Sequence, residues 1–342
     1  MNNTPKILLI YTGGTIGMIK DFQTGALTSF EFDELLQHIP ELRLLDCVIE
    51  TSGFGKPIDS SNMDSSRWVA LAGMIEERYD EFDGFVVLHG SDTMSYTASA
   101  LSFMLEGLDK PVIFTGSQLP IGDLRTDAKE NLITAVQIAG LKDEQGAVVK
   151  EVGLYFEYKL YRANRTTKIN AEHFEAFASL NYPPLIESGV NLKVNRAALW
   201  RPTIRQELKV HKNLESSIVL IKFFPGLTAQ TLKHLLSVPD LKGVVLETYG
   251  SGNITSDPEV IAALKECVDR GVVVVNVTQC SGGSVNMGLY ETSVALLKMG
   301  VLSGEDMTTE AALAKLMYLL GKGITPSKVG SIFESNLRGE VS

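Results

Sequence analysis

Three short stretches carry hydroxyls, a carboxylate and an ammonium where an apolar run gives way to a polar turn: Thr12-Gly13-Gly14-Thr15, His89-Gly90-Ser91-Asp92-Thr93 and Arg165-Thr166-Thr167-Lys168. A hydroxyl is a poor nucleophile until a base removes its proton, so Thr15, at the tip of a double-glycine turn, needs a partner. Lysine in a partly buried site can act as a base toward a neighbouring hydroxyl, which makes Lys168 a candidate for that partner. Taken together the stretches read as a hydrolytic site. Each also has a plainer reading. The glycines suit a tight turn, Ser, Asp and Thr all suit a helix N-cap, and most lysines are solvated. The turn lacks both the G-x-G-x-x-G spacing and a Walker lysine, which weakens a nucleotide reading. His89 ends an apolar run with no second histidine at metal spacing, and reads as a hydrogen-bonded structural residue outside the catalytic set.

The elements that must position these groups follow from the apolar runs. Ile7-Leu8-Leu9-Ile10-Tyr11 and Phe85-Val86-Val87-Leu88 have the length and branching of strands buried on both faces of a parallel sheet. In open α/β sheets, sites form outside the carboxyl ends of the strands, so both polar turns would open into one crevice. Further strands are expected near Val112-Ile113-Phe114-Thr115 and Val152-Gly153-Leu154-Tyr155, and helices over Ser65–Tyr79, Tyr96–Glu106 and Arg125–Ala139. Asp64 is placed to cap the first helix. Thr115-Gly116-Ser117-Gln118 follows a strand and adds a third polar loop to the rim. Asp59-Ser60-Ser61-Asn62, ahead of a helix, is either a cap or a binding loop.

Periodicity fades between Phe174 and Pro184, and irregular sequence runs to about His211. A second alternation begins at Ile218-Val219-Leu220-Ile221, continues through Val244-Val245-Leu246 and Val272-Val273-Val274-Val275, and ends in helical sequence over Met307–Leu320 and Lys328–Ser335. The expectation is an α/β protein of two α/β domains. A larger N-terminal parallel-sheet domain would cover 1–193, a linker 194–212 that packs through Leu199 and Trp200, and a smaller C-terminal α/β domain 213–342.

Composition agrees with this organisation. The 342 residues are 44% hydrophobic and 21% charged, as in ordinary globular proteins. A net charge of −10 without a basic block argues against nucleic acid or an anionic membrane as partner. The three cysteines, Cys47, Cys267 and Cys280, show no metal or redox spacing. The first residues lack a signal-peptide pattern, and no apolar run nears the roughly 20 residues that span a bilayer. Cytoplasmic residence is the default expectation.

The ordered motifs resemble the bacterial L-asparaginases, particularly the cytoplasmic type I group. They are Thr12-Gly13-Gly14-Thr15-Ile16-Gly17-Met18, Asp59-Ser60-Ser61-Asn62-Met63, His89-Gly90-Ser91-Asp92-Thr93-Met94, Thr115-Gly116-Ser117-Gln118 and Asn164-Arg165-Thr166-Thr167-Lys168, followed by Tyr249-Gly250-Ser251-Gly252-Asn253 and Thr278-Gln279-Cys280. The resemblance spans nearly the whole chain. It implies a flavodoxin-like N-terminal domain, hydrolysis of L-asparagine to L-aspartate and ammonia, and no metal or organic cofactor. Thr15 would be the nucleophile, and Ser91, Asp92 and Lys168 a proton-moving group. Asp59, Ser60 and Gln118 would bind substrate, with Asp59 and Ser60 gripping its α-amino and α-carboxylate groups. The resemblance further implies a homodimer or homotetramer in which Asn253 completes a neighbouring subunit's site.

Two positions depart from the family pattern. Ser91 stands where threonine is usual, which keeps the hydroxyl but loosens the rotamer. The loop after Gly17 usually carries a tyrosine that leans on the nucleophile, yet Thr24-Gly25-Ala26-Leu27 has none, and Tyr11 does not align with it. Some type I members also bind asparagine at a regulatory site. Thr167 and Cys280 fit that pattern, but Glu247 stands where an arginine is expected and disfavours a carboxylate ligand, so substrate activation is expected to be weak or absent. The competing readings are a related amidohydrolase with glutaminase activity or a tRNA-linked role, and a non-catalytic amino-acid sensor. The retained Thr15 and Lys168 favour hydrolysis.

Overall fold

The computed structural model describes residues 4–20, 27–29, 39–201, 206–288 and 291–342. Residues 24–26 of the loop after Gly17 lie outside them. The chain divides into two compact units, Met1–Val210 and His211–Ser342.

In the larger unit, chain order gives β1 (Lys6–Tyr11), β2 (Val48–Gly53), α1 (Ser65–Glu77), β3 (Gly84–Leu88), α2 (Met94–Met104), β4 (Val112–Thr115) and α3 (Ala128–Ala139). These are followed by β5 (Val152–Phe156), β6 (Lys159–Arg162), β7 (Ile186–Ser188) and β8 (Leu192–Val194). The sheet order is β8-β7-β6-β5-β4-β3-β1-β2. β2, β1, β3, β4 and β5 run parallel, while β6, β7 and β8 extend the sheet antiparallel. Ile7, Leu9, Val86, Leu88 and Ile113 belong to one core cluster with Leu132, Ala135 and Val136 of α3. Their alternates Leu8, Ile10, Phe85, Val87 and Phe114 are equally buried, so both faces of the central strands are covered, as their unbroken apolar runs require.

Asp64 caps α1 by accepting the Arg67 N–H at 3.0 Å. The segment 194–212 is held to the larger unit at both ends. Arg162 Nη2 donates to Ala198 O at 2.8 Å, and Lys209–Val210 pairs with Leu105–Glu106.

The smaller unit holds β9 (Ile218–Lys222), α4 (Ala229–Leu236), β10 (Gly243–Thr248), α5 (Pro258–Asp269), β11 (Val273–Thr278), α6 (Glu291–Met299), β12 (Leu302–Ser303), α7 (Thr309–Gly321) and α8 (Pro326–Phe333). Its four strands form a parallel sheet in the order β9-β10-β11-β12. Pro258 opens α5 and Pro326 opens α8, where a missing N–H costs nothing. Among the described residues no helix is long and apolar enough to cross a membrane.

Candidate active site

At the end of β1 the chain is pinned before it turns. Thr12 donates both its N–H (3.0 Å) and its Oγ1–H (2.9 Å) to Leu88 O, and its carbonyl accepts the Ile58 N–H at 2.8 Å. One residue thereby ties the rims of β1 and β3 to the Asp59 loop. The turn continues through Gly13 (φ 132°) and Gly14 (φ 96°), a region of backbone space that side chains disfavour. Both glycines also sit against other backbones. A Cβ on Gly13 would lie 2.1 Å from Ile58 O, and one on Gly14 would lie 2.5 Å from Gly90 Cα. This contact sets the Thr15 loop directly on the Ser91 loop. Half-buried Thr15 then begins a 3-10 turn over Thr15–Gly17, closed by Gly17 N–H to Gly14 O at 3.1 Å. The Tyr11 ring fills the space beside Gly17, and burial pushes its hydroxyl up to about 12.

Asp59 caps the short turn Ser60–Asn62, accepting the Ser61 N–H at 2.9 Å and the Ser61 hydroxyl at 2.8 Å. Those hydrogen bonds hold its carboxyl below the ordinary carboxylate range, so it stays anionic, while the side chain remains exposed. Ser60 is buried and its carbonyl accepts the Thr93 hydroxyl at 2.7 Å. The cap reading of Ser91-Asp92-Thr93 is not realised in their side chains. They form a 3-10 turn ahead of α2, and neither Gly90 nor Thr93 makes a side-chain cap bond. His89 is fully buried and lies 2.7 Å through Nδ1 from Gly90 O. A carbonyl only accepts, so Nδ1 carries the proton. Burial pushes the imidazole down to about 4, and it stays neutral near pH 7.

Lys168 comes from 77 residues away. After the 3-10 turn Ala163–Arg165, Thr167–Lys168 pairs with Phe177–Ala178 as a short antiparallel ribbon. Arg165, fully buried, lies over the Tyr182 ring at 5.2 Å. From this ribbon Lys168 Nζ donates to Ser91 Oγ at 2.8 Å and to Asp92 Oδ1 at 2.7 Å. The lysine side chain is 17% exposed and the Asp92 side chain 69%. So open an ion pair contributes little to stability, roughly 0–1 kcal/mol. Its consequence is placement of the ammonium.

Gln118 completes the cluster. Its Oε1 accepts the Ser91 hydroxyl at 3.1 Å, and its Nε2 donates to Ala171 O at 3.2 Å and His173 O at 3.1 Å. Two carbonyl acceptors identify that end of the amide as the nitrogen. The Gln118 backbone is gripped by Asp127, which sequence reasoning missed. Asp127 accepts the N–H groups of Gln118 (3.1 and 2.9 Å) and Leu119 (3.1 Å), and Asn131 Nδ2 at 3.2 Å. Burial raises its carboxyl despite these bonds. Asp127 precedes a helix and carries the sequence signal of a cap, yet it makes no cap bond to α3.

The remaining candidates lie in other surroundings. Thr167 is half-buried in the Lys168 ribbon. In the smaller unit, Asn253 closes the turn after β10, exchanging N–H···O bonds of 2.9 Å with Tyr249. Glu247 on β10 accepts the Thr309 hydroxyl at 2.7 Å and pairs with Lys222 at 3.2 Å. Cys280 is exposed, with its N–H donated to Thr278 Oγ1 at 3.1 Å. Among the described residues no group of three or more His, Cys, Asp or Glu side chains could hold a metal ion.

Residues 6–200 match the family model described as "Asparaginase, N-terminal", and residues 217–333 match "Glutaminase/Asparaginase C-terminal domain". The chain is 43% identical to L-asparaginase 1 of Escherichia coli K12 over 98% of both chains. It is 39% identical to the human 60 kDa lysophospholipase over 98% of this chain and 61% of that protein. Among solved structures, L-asparaginase I from Vibrio cholerae superposes with a TM-score of 0.90 at 41% identity, covering 99% of this chain and 100% of the other.

Proposed function

The chain belongs to the asparaginase family, and on that premise we propose that it hydrolyses L-asparagine to L-aspartate and ammonia through a threonine nucleophile. The observation that carries the proposal is the pair of hydrogen bonds from Lys168 Nζ to Ser91 Oγ and Asp92 Oδ1, on a loop packed against the Thr15 turn. In this reading Thr15 Oγ1 bonds to the side-chain amide carbon. The carbon–nitrogen bond then breaks, and ammonia leaves with the threonine proton. Water attacks the resulting β-aspartyl ester, and its proton returns to Thr15 as the ester bond opens. Ser91 and Lys168, the lysine acting in its amine form, carry the water's proton meanwhile, and Asp92 holds the lysine in place. Backbone N–H groups of the Thr15 and Ser91 turns would stabilise the oxyanion, at roughly 2.7–4 kcal/mol per donor.

Asp59 and Ser60 grip the substrate's α-amino and α-carboxylate groups, since an anion suits the ammonium and hydroxyl or backbone donors suit the carboxylate. The rest of the proposal rests on the resemblance: cytoplasmic residence, a homodimer or homotetramer, and Asn253 reaching a neighbouring subunit's site.

Ammonia release from L-asparagine, L-glutamine and D-asparagine by the wild type and Thr15→Ala tests this reading, with fatty-acid release from a lysophospholipid as a further arm. Asparagine turnover by the wild type, reduced by on the order of 1,000-fold or more in the variant, is expected. Undiminished turnover in Thr15→Ala sinks the nucleophile. Ammonia from no amide points to an amino-acid sensor, and fatty acid without ammonia to a different hydrolase.

A further inference from the structure

We propose that the Gln118 side chain is a positioning residue that fixes the rotamer of the Ser91 hydroxyl, a role that the serine at this position creates. The proposal rests on the asparagine-hydrolysis reading for its kinetic test and on geometry alone for its structural one. Serine has one heavy atom on Cβ, so its hydroxyl turns among three wells, whereas the methyl of a threonine restricts them. A hydroxyl that must meet a reacting group beside Lys168 gains from having its oxygen held in one well. Gln118 Oε1 accepts the Ser91 proton while Lys168 donates to the same oxygen, which leaves one orientation that satisfies both.

The amide is itself immobilised at its other end. Both Nε2 hydrogens go to carbonyls of the segment between the two strands of the Lys168 ribbon, Ala171 O and His173 O. Asn170 Oδ1 folds that segment by accepting the Glu172 and His173 N–H groups at 2.8 and 2.9 Å. The contacts therefore close a ring: Ser91 to Gln118, Gln118 to the ribbon, and the ribbon's Lys168 back to Ser91. Packing does not substitute for these bonds, because a cavity of ≈ 390 Å³ opens beside the joint, lined by Gln118, Arg125, Glu172 and Phe174 among others. Asp127 anchors the ring through the Gln118 and Leu119 N–H groups. With its two N–H groups committed to carbonyls, the amide has no donor left for substrate.

The test is a cycle of Gln118→Ala, Ser91→Thr and the double variant, followed by kcat and KM for asparagine, with Gln118→Met as a near-isosteric second truncation. Gln118→Ala should lower kcat by about 10- to 100-fold with KM little changed, as expected for a misplaced relay group. Ser91→Thr should restore most of the lost kcat in the Gln118 variants, because the methyl then does the holding. A raised KM with kcat intact overturns the proposal in favour of a substrate contact. Equal losses with and without Ser91→Thr overturn it in favour of loop stability. Crystal structures of the wild type and Gln118→Met give a readout independent of turnover. Ser91 Oγ should be single in the former and spread over rotamers in the latter, and one unchanged position in both refutes the idea. A wild type without asparagine turnover would remove the function reading while leaving that structural comparison intact.

Discussion

Both units end parallel strands in polar turns, but the polar side chains at the two rims have different partners. At the rim of β10 and β11, Asn276, Thr278 and Gln279 serve backbone carbonyls. Asn276 Nδ2 donates to Gly252 O at 3.0 Å, Thr278 Oγ1 to Gly250 O at 2.6 Å, and Gln279 Nε2 to Phe223 O and Glu247 O at 2.5 and 2.9 Å. At the rim of β3 and β4, Lys168, Ser91, Asp92 and Gln118 bond to one another, and the Asp92 carboxylate stays open to solvent. Side chains committed to carbonyls set a loop's shape. Titratable and hydroxyl groups bonded in a chain, with one end exposed, have protons to exchange. The contrast distinguishes a rim of loop-shaping contacts from one whose groups are placed to exchange protons.

The largest effect expected from breaking the contrast is at Lys168. Lys168→Met keeps the stem and removes the donor, so kcat for asparagine should fall by roughly 100- to 10,000-fold. The unfolding midpoint should hardly move, because the partner Asp92 is mostly exposed. Steady-state ammonia release beside urea unfolding checks both halves. A variant that loses stability and activity in proportion would place Lys168 with the scaffold.

The two rims were also unequally legible. Strand ends carrying Thr15, Ser91-Asp92 and Gln118 stood out because continuous apolar runs lead into them, and Asp64 announced α1 by its type and place. The antiparallel half of the large sheet gave no such signal. The β5–β6 hairpin turns on Glu157 and Tyr158, both left-handed at φ 44° and 67°, where Asn-Gly would have marked a tight turn. That turn is held from outside, with the Glu157 N–H on Asn131 Oδ1 at 3.0 Å and the Ser188 N–H on Tyr158 O at 2.7 Å. Helix α3 begins at Ala128 rather than at Arg125, since Thr126 and Asp127 turn back to the Gln118 loop: Thr126 Oγ1 bonds Leu119 O at 3.2 Å. The partners of Gln118 on the ribbon are backbone carbonyls, which every residue has, and no residue type advertises them.

His89 sharpens the comparison through pH, with the next largest effect. Its buried imidazole is held down to about 4, against about 6.5 in an unfolded chain. Between these values the unfolded chain takes up a proton that the folded one refuses. The stabilisation from a neutral His89 is therefore complete above about pH 6.5 and is lost as pH falls toward 4, by on the order of 3 kcal/mol. Glu157 acts in the opposite sense: burial, with Asp127, Glu130 and Glu175 beside it, pushes it up to about 7. The His89 contribution is thus read as the difference between the wild type and His89→Gln in urea unfolding from pH 7 to 4.5. The wild type should lose more stability on acidification, and parallel curves would contradict the assignment.

At the scaffold rim, Thr248→Val tests the other half of the contrast. Thr248 Oγ1 donates to Asn276 Oδ1 at 2.6 Å, both fully buried, and Asn276 in turn holds Gly252 O. Removing the hydroxyl leaves a buried amide oxygen without its donor, so unfolding free energy should drop by about 1–3 kcal/mol. Turnover measured at a temperature where the variant is folded should change far less than in Lys168→Met. A loss of kcat comparable to that variant's would erase the distinction between the rims.

The smallest expected effect is at Glu247, on the scaffold rim. Its carboxylate already accepts the Thr309 hydroxyl and faces Lys222, so the positive charge beside it is matched. A second asparagine arriving with its own carboxylate would meet an anion where a cation is needed, and two carboxylates in one place repel. The rate should therefore rise hyperbolically with asparagine concentration, without a sigmoidal foot, in a preparation whose mass by light scattering stays constant across the titration. A sigmoidal curve under that condition would mean that Glu247 gives up Lys222 or Thr309 to admit the ligand. The rim of the smaller unit would then hold a responsive group, and its side chains would no longer be scaffold alone.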